Sequence, residues 1–172
     1  MSETEQIPRP SYDDPKEIYA FFGLTYYRAA VLEHGVLNLA VAMLARDLPG
    51  LTVGHVDRLY ESFDKKTLGQ IINAAKSKLA IPADFEADLA LALENRNYLA
   101  HRFFIVHDVD LVVPSGRRKM IDELIEILKH LESVDARMEK LWMSAWEPLG
   151  ITTEWIEQQM QEYIAHRQAN DA

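Results

Sequence analysis

Arg96, Asn97 and His101, with Glu94 just ahead of them, are the side chains of this sequence best suited to chemistry. They sit in Ala92-Leu-Glu-Asn-Arg-Asn-Tyr-Leu-Ala-His-Arg-Phe-Phe104, a stretch otherwise rich in apolar residues. A guanidinium binds phosphate and stabilises the charge that builds up when a phosphodiester is attacked. An imidazole exchanges protons near neutral pH. It can take one from a 2′-hydroxyl or give one to a departing 5′-oxygen. An amide beside them can orient the ring or a phosphate oxygen. The set therefore suits RNA cleavage without a metal ion. A plainer reading stands beside it: Arg96 pairs with Glu94 or another carboxylate, His101 is a polar face residue, and the segment is a satisfied core helix. Unpartnered charge inside an apolar helix is costly, so the expectation is that these groups are kept there for a reason.

The element that must position them is a helix opening near Ala83, with Phe85, Leu89, Ala92, Leu99 and Phe103 along one stripe. Arg96 falls inside this stripe, where the spacing asks for an apolar residue. At ~100° per residue, Glu94, Asn97 and His101 lie within about 60° of one another, whereas Arg96 and His101 are about 140° apart. One straight helix does not aim both at a single point. A bend, long side chains, or a second copy across a two-fold axis would be needed.

The surrounding chain reads as helical. Asp14-Pro15-Lys16-Glu17 is a helix start, with Asp14 as N-cap and Pro15 at the first helical position. From there Ile18, Phe22, Thr25, Ala29, Leu32, Val36, Leu39 and Met43 form a heptad seam ending near Arg46, widened by Phe21, Ala40 and Leu44, and Pro49-Gly50 stops it. A short helix is expected around Val53 to Tyr60, then an amphipathic one through Leu68, Ile71, Ile72, Ala75 and Leu79. Phe103 to Val113, rich in β-branched and aromatic residues, is read as an extended connection or a short strand. After Pro114-Ser115-Gly116, with Ser115 as N-cap, a second seam runs through Met120, Leu124, Ile127, Leu131, Val134, Met138 and Leu141. Pro148-Leu149-Gly150 ends it, and a last amphipathic helix starts near Thr153, with Trp155, Ile156, Met160, Tyr163 and Ile164 apolar. The fold class expected is all-α: an up-and-down helical bundle of four main helices plus one or two short ones, residues 14–172 forming one domain behind a flexible arm of residues 1–13. A helix of thirty residues spans roughly 45 Å, long enough to offer a face to a second subunit.

The segment 93–104 resembles the helix that carries the motif of the HEPN superfamily, Arg-x4-6-His, often with Asn directly after the Arg. Arg96, Asn97 and His101 are the matches. Thr67-Leu-Gly-Gln-Ile-Ile72 is similar to the helix that precedes the motif in bacterial members, and the long helices are similar to the family's bundle. The resemblance implies a homodimer with both Arg-His sets at a shared cleft, and metal-independent RNA cleavage leaving a 2′,3′-cyclic phosphate. In toxin members the motif extends to Arg-x4-His-x-Tyr. Here Phe103 stands at the Tyr position, which removes any regulation through that tyrosine. Some relatives bind nucleotides or partners without cleaving.

The totals set bounds on these readings. The 172 residues carry a net charge of -9, which argues against non-specific coating of nucleic acid, though not against a local basic cleft. There are no cysteines, so disulfides and thiolate metal sites are excluded. No apolar run is expected to approach membrane-spanning length, and the polar, acidic N-terminus does not read as a signal peptide. His101, His107, Asp108 and Asp110 match no helical metal motif. Glu33-His34 reads as a solvated pair off the first seam. Lys65, Lys66, Lys76 and Lys78, or Arg117-Arg118-Lys119, are ordinary surface or a basic rim. Trp142, Trp146 and Trp155 are expected to pack the last two helices together. No cofactor or metal is expected. The expectation is thus a cytoplasmic, homodimeric, HEPN-like endoribonuclease or toxin-type protein, with RNA as substrate and an antitoxin or other protein as possible partner. Arg96, His101 and Asn97 are its catalytic residues, with Glu94 in support. The alternative is a non-catalytic helical module that binds a partner protein or nucleotide.

Overall fold

The computed structural model describes residues 7–63, 65–66, 69–71 and 82–170. Among the described residues every regular element is helical. In chain order these are α1 (Lys16–Ala45), α2 (Val53–Phe63), α3 (Ala83–His101), the single turn α4 (Phe103–Val106), a 3-10 turn (Asp110–Val112), α5 (Pro114–Trp146), a 3-10 turn (Glu147–Leu149) and α6 (Thr153–Asn170). The amphipathic helix expected through Leu68 and Leu79 lies outside the described residues, except for a helical turn at 69–71.

The chain divides into two compact units, one of residues 1–34 and 80–136, the other of 35–79 and 137–172. In the first unit the front of α1 and the front of α5 run in the same direction. Thr25 Oγ1 donates to the carbonyls of Phe21 (2.7 Å) and Leu124 (3.3 Å), and Arg28 pairs with Glu132 at 3.5 Å, so partners rise together along both helices. α3 runs against them, since Arg96 near its end meets Glu33 while Phe103 beyond it meets Phe22. The unit is therefore an up-down-up bundle. Its core is the predicted stripe of α3 (Phe85, Leu89, Ala92, Leu99) against Ile18, Ala29 and Leu32 of α1 and Met120, Leu124 and Leu131 of α5, all buried. Tyr12, in the stretch read as an arm, donates to Asp122 at 2.5 Å and lies under Arg118.

In the second unit Val36, Leu39 and Ala40 of α1, Phe63, and Met138, Ala145 and Trp146 of α5 are buried. Thr52 caps α2, accepting from the His55 amide at 3.3 Å, and Thr152 caps α6 in the same way through Trp155.

The start of α1 follows the sequence reading, with Asp14 Oδ1 accepting from the Lys16 amide at 2.9 Å. Gly50 and Gly150 adopt left-handed φ of 63° and 84° where stops were expected. Three expectations need correction. Residues 103–112 are neither strand nor extended, and only Val113 takes an extended conformation: the segment winds into a helical turn and a 3-10 turn. α5 begins at Pro114, so Ser115 is inside the helix and does not cap it. Finally, α1 is long and apolar enough to cross a membrane by length and composition, contrary to expectation, although half of its most apolar window is buried in the protein. The width of its stripe, which faces several neighbours, accounts for that composition.

Candidate functional site

α3 holds all four predicted site residues. The helix is continuous to His101, so Glu94, Asn97 and His101 share one face, and that face is exposed. This corrects the premise that an apolar helix hides them: only Arg96 is partly withdrawn, with its side chain 29% exposed. Its stripe position places it against α1, where Nη2 meets Glu33 Oε2 at 3.5 Å. Nη1 donates to Asn97 Oδ1 at 3.4 Å. Glu33 is thus the carboxylate partner of Arg96 in place of Glu94, and not half of a solvated pair with His34. Among the described residues no hydrogen bond or ion pair engages His101 or Glu94. The structure therefore joins Arg96, Asn97 and Glu33, and leaves His101 one turn further on, open to solvent.

What fixes the end of α3 lies just beyond it. Arg102 leaves the helix with φ -133°, its amide bonded to the Tyr98 carbonyl, and the chain folds inward. Phe103 is fully buried among Phe22, Tyr98 and Phe104, and its ring meets the His107 ring at 4.8 Å, tilted by 52°. His107 is 1% exposed. Its Nδ1 faces Asp110 Oδ2 at 2.7 Å and its Nε2 faces Glu123 Oε2 at 3.0 Å, with the Tyr98 hydroxyl 3.2 Å from Nε2. Lys119 also donates to Asp110, at 2.9 Å. The hydrogen bonds from His107 and Lys119 hold the Asp110 carboxyl below its usual range. Burial and the nearby Glu123 push the Tyr98 hydroxyl well above its usual range. Gly116 completes the clasp: a Cβ there would run into the Asp110 main chain.

Sequence reading missed this cluster. Its signal was present, because His107 follows Phe103 by four residues and continues the α3 stripe one step further. The four residues weighed as a metal set are not brought together. His107 and Asp110 bind each other, while His101 and Asp108 are exposed. Among the described residues no group of three or more His, Asp or Glu is arranged to hold a metal ion.

The basic residues serve local structure. Arg118 covers Tyr12, Arg117 donates to the Leu111 carbonyl at 3.5 Å, and Lys66 covers Phe63. Lys76 and Lys78 lie outside the described residues. In the second unit all three tryptophans converge, as expected from packing of the last two helices, but they line an open groove of about 490 Å³ with Val56, Tyr60 and Ile156. Tyr60 donates to Asn38 Oδ1 at 2.9 Å beside it, and burial raises the pKa of its hydroxyl.

No protein family, no curated protein and no solved structure matches this chain.

Proposed function

We propose that this chain is a HEPN-like, metal-independent endoribonuclease of the toxin type, acting in the cytoplasm as a homodimer. The observation that carries the reading is the division of labour on α3. Arg96 is braced by Glu33 and Asn97, while His101 on the same helix is exposed and unengaged among the described residues. A braced guanidinium can hold a phosphate in a fixed place, and a free imidazole can exchange protons with it. In the proposed reaction the 2′-oxygen attacks the adjacent phosphorus and the bond to the 5′-oxygen breaks. His101 takes the 2′-hydroxyl proton or supplies one to the leaving oxygen. Arg96 offsets the added negative charge, Asn97 orients the phosphate or the guanidinium, and Glu94 supports the same face. Glu33 is a positioning residue, acting through Arg96. The ~140° between Arg96 and His101 on one helix is the reason for a second copy: across a two-fold axis, each copy's Arg96 can serve with the other's His101.

Products decide the matter. RNA incubated in EDTA should yield 2′,3′-cyclic phosphate ends, and DNA of the same sequence should stay intact because it lacks the attacking hydroxyl. Intact RNA across a broad panel would refute the nuclease. One pair of observations favours a second reading, a non-catalytic interaction module: Arg96 has a carboxylate partner, and the tryptophan-lined groove offers an apolar seat for a ligand.

A further inference from the structure

α6 is an 18-residue helix on which every residue from Glu157 to Asn170 is exposed. A lone helix of this length is marginal in water, since most helix stability in proteins comes from packing one face. The face available for packing is present and, beyond the half-buried Ile156 at the tryptophan groove, bare. Ile156, Met160, Tyr163 and Ile164 fall within about 100° of one another. Met160 is 59% exposed, Tyr163 62% and Ile164 48%. Large apolar side chains grouped in this way mark an interaction surface.

The charges on the helix name the partner. Of its charged residues, Glu157 in the front half flanks the apolar stripe and Arg167 in the rear half lies within it, while Glu154, Glu162 and His166 point away from it. Arg167 lies over Tyr163, with Nε 3.3 Å from the hydroxyl oxygen, and by angle it falls within the rear of the apolar stripe, between Tyr163 and Ile164. We infer that α6 pairs with α6 of a second copy of this chain, antiparallel across a two-fold axis. Reversed on itself, the helix sets Ile156 and Met160 against the second copy's Tyr163 and Ile164. It also sets Glu157 beside the second copy's Arg167, and the reverse pairing repeats at the other end. The two helix dipoles oppose each other, which also favours this direction. Parallel pairing would set Glu157 against Glu157 and Arg167 against Arg167. A helix about 27 Å long makes an interface at the small end of the specific range, so association in the micromolar range is expected. This inference does not rest on the RNase reading. Pairing through α6 neither requires nor implies a shared cleft at Arg96 and His101.

Sedimentation equilibrium across the micromolar range tests it. The wild-type mass should rise from 19.7 kDa towards twice that value with concentration. Met160→Glu should weaken association about tenfold or more. Because α6 contains no buried residue, its melting curve should match wild type. Glu157→Arg and Arg167→Glu should each weaken association about tenfold, since each contact occurs twice, and the double exchange should restore it. A wild-type protein that stays at 19.7 kDa throughout, with or without another protein bound, overturns the pairing. A dimer that Met160→Glu leaves as tight as wild type is held by another face and also overturns it, while leaving the shared cleft standing. Failure of the double exchange to restore association overturns the antiparallel direction and with it the proposal.

Discussion

Replacing His107 by alanine should be far more damaging than replacing His101. The His107 side chain is 1% exposed and places a nitrogen against each of two carboxylates, at 2.7 and 3.0 Å. A hydrogen bond to a charged group contributes ~1.5–3 kcal/mol. The two carboxylates are 26% and 34% exposed, so water can take over part of what the ring supplied, and the sum must be discounted. Loss of the ring also leaves a void against Phe103, which adds to the cost. The net expectation is about 2–4 kcal/mol for His107→Ala, which for a chain of this size lowers Tm by roughly 5–15 °C. His101→Ala, on an exposed face without partners, should stay within about 0.5 kcal/mol. Urea melts of the two variants beside wild type read this directly. Equal losses, or a His107→Ala loss under about 0.5 kcal/mol, would refute the view that the Tyr98–His107–Asp110–Glu123 cluster holds the end of α3.

Further outcomes follow from the same structure. Leu131, fully buried on α5, should cost about 2–5 kcal/mol as Leu131→Ala, whereas Arg102→Ala on the exposed side of the α3 terminus should cost under about 0.5 kcal/mol by urea denaturation. Asp110 is held below the ordinary carboxylate range by His107 and Lys119. A depressed folded value means its contribution is present above its unfolded pKa of ~3.9 and lost as pH falls through the lower folded value. Wild type should therefore lose urea stability across the acid range, and Asp110→Asn, less stable to begin with, should lose less over the same range. Self-association should follow the α6 variants described above.

The seams were legible because period alone decides them. Met120, Leu124, Leu131 and Val134 repeat at heptad spacing and are buried, as are Phe85, Leu89, Ala92 and Leu99 on α3. Caps were legible where residue type forces them, as at Asp14 and Gly150. The segment 103–113 was not, because β-branched content favours strand only when a sheet is there to pair with. Here no strand occurs among the described residues, and His107, Asp110 and Gly116 wind the segment onto α5 instead. The partner of Arg96 was also out of reach. Glu33 lies 63 residues away in sequence, and only the packing of α3 on α1 brings the two together. Exposure of Glu94, Asn97 and His101 could have been read from their shared ~60° arc, which lies off the apolar stripe.

RNA cleavage in EDTA by wild type and His101→Ala, with melting curves on both, tests the central claim most directly. His101 is exposed and makes no hydrogen bond or ion pair among the described residues, so its removal should leave fold and melting temperature unchanged. The cleavage rate should nevertheless fall about 10²–10⁴-fold, the usual cost of losing a general acid or base. A His101→Ala protein that melts like wild type and cleaves RNA as fast would contradict the account.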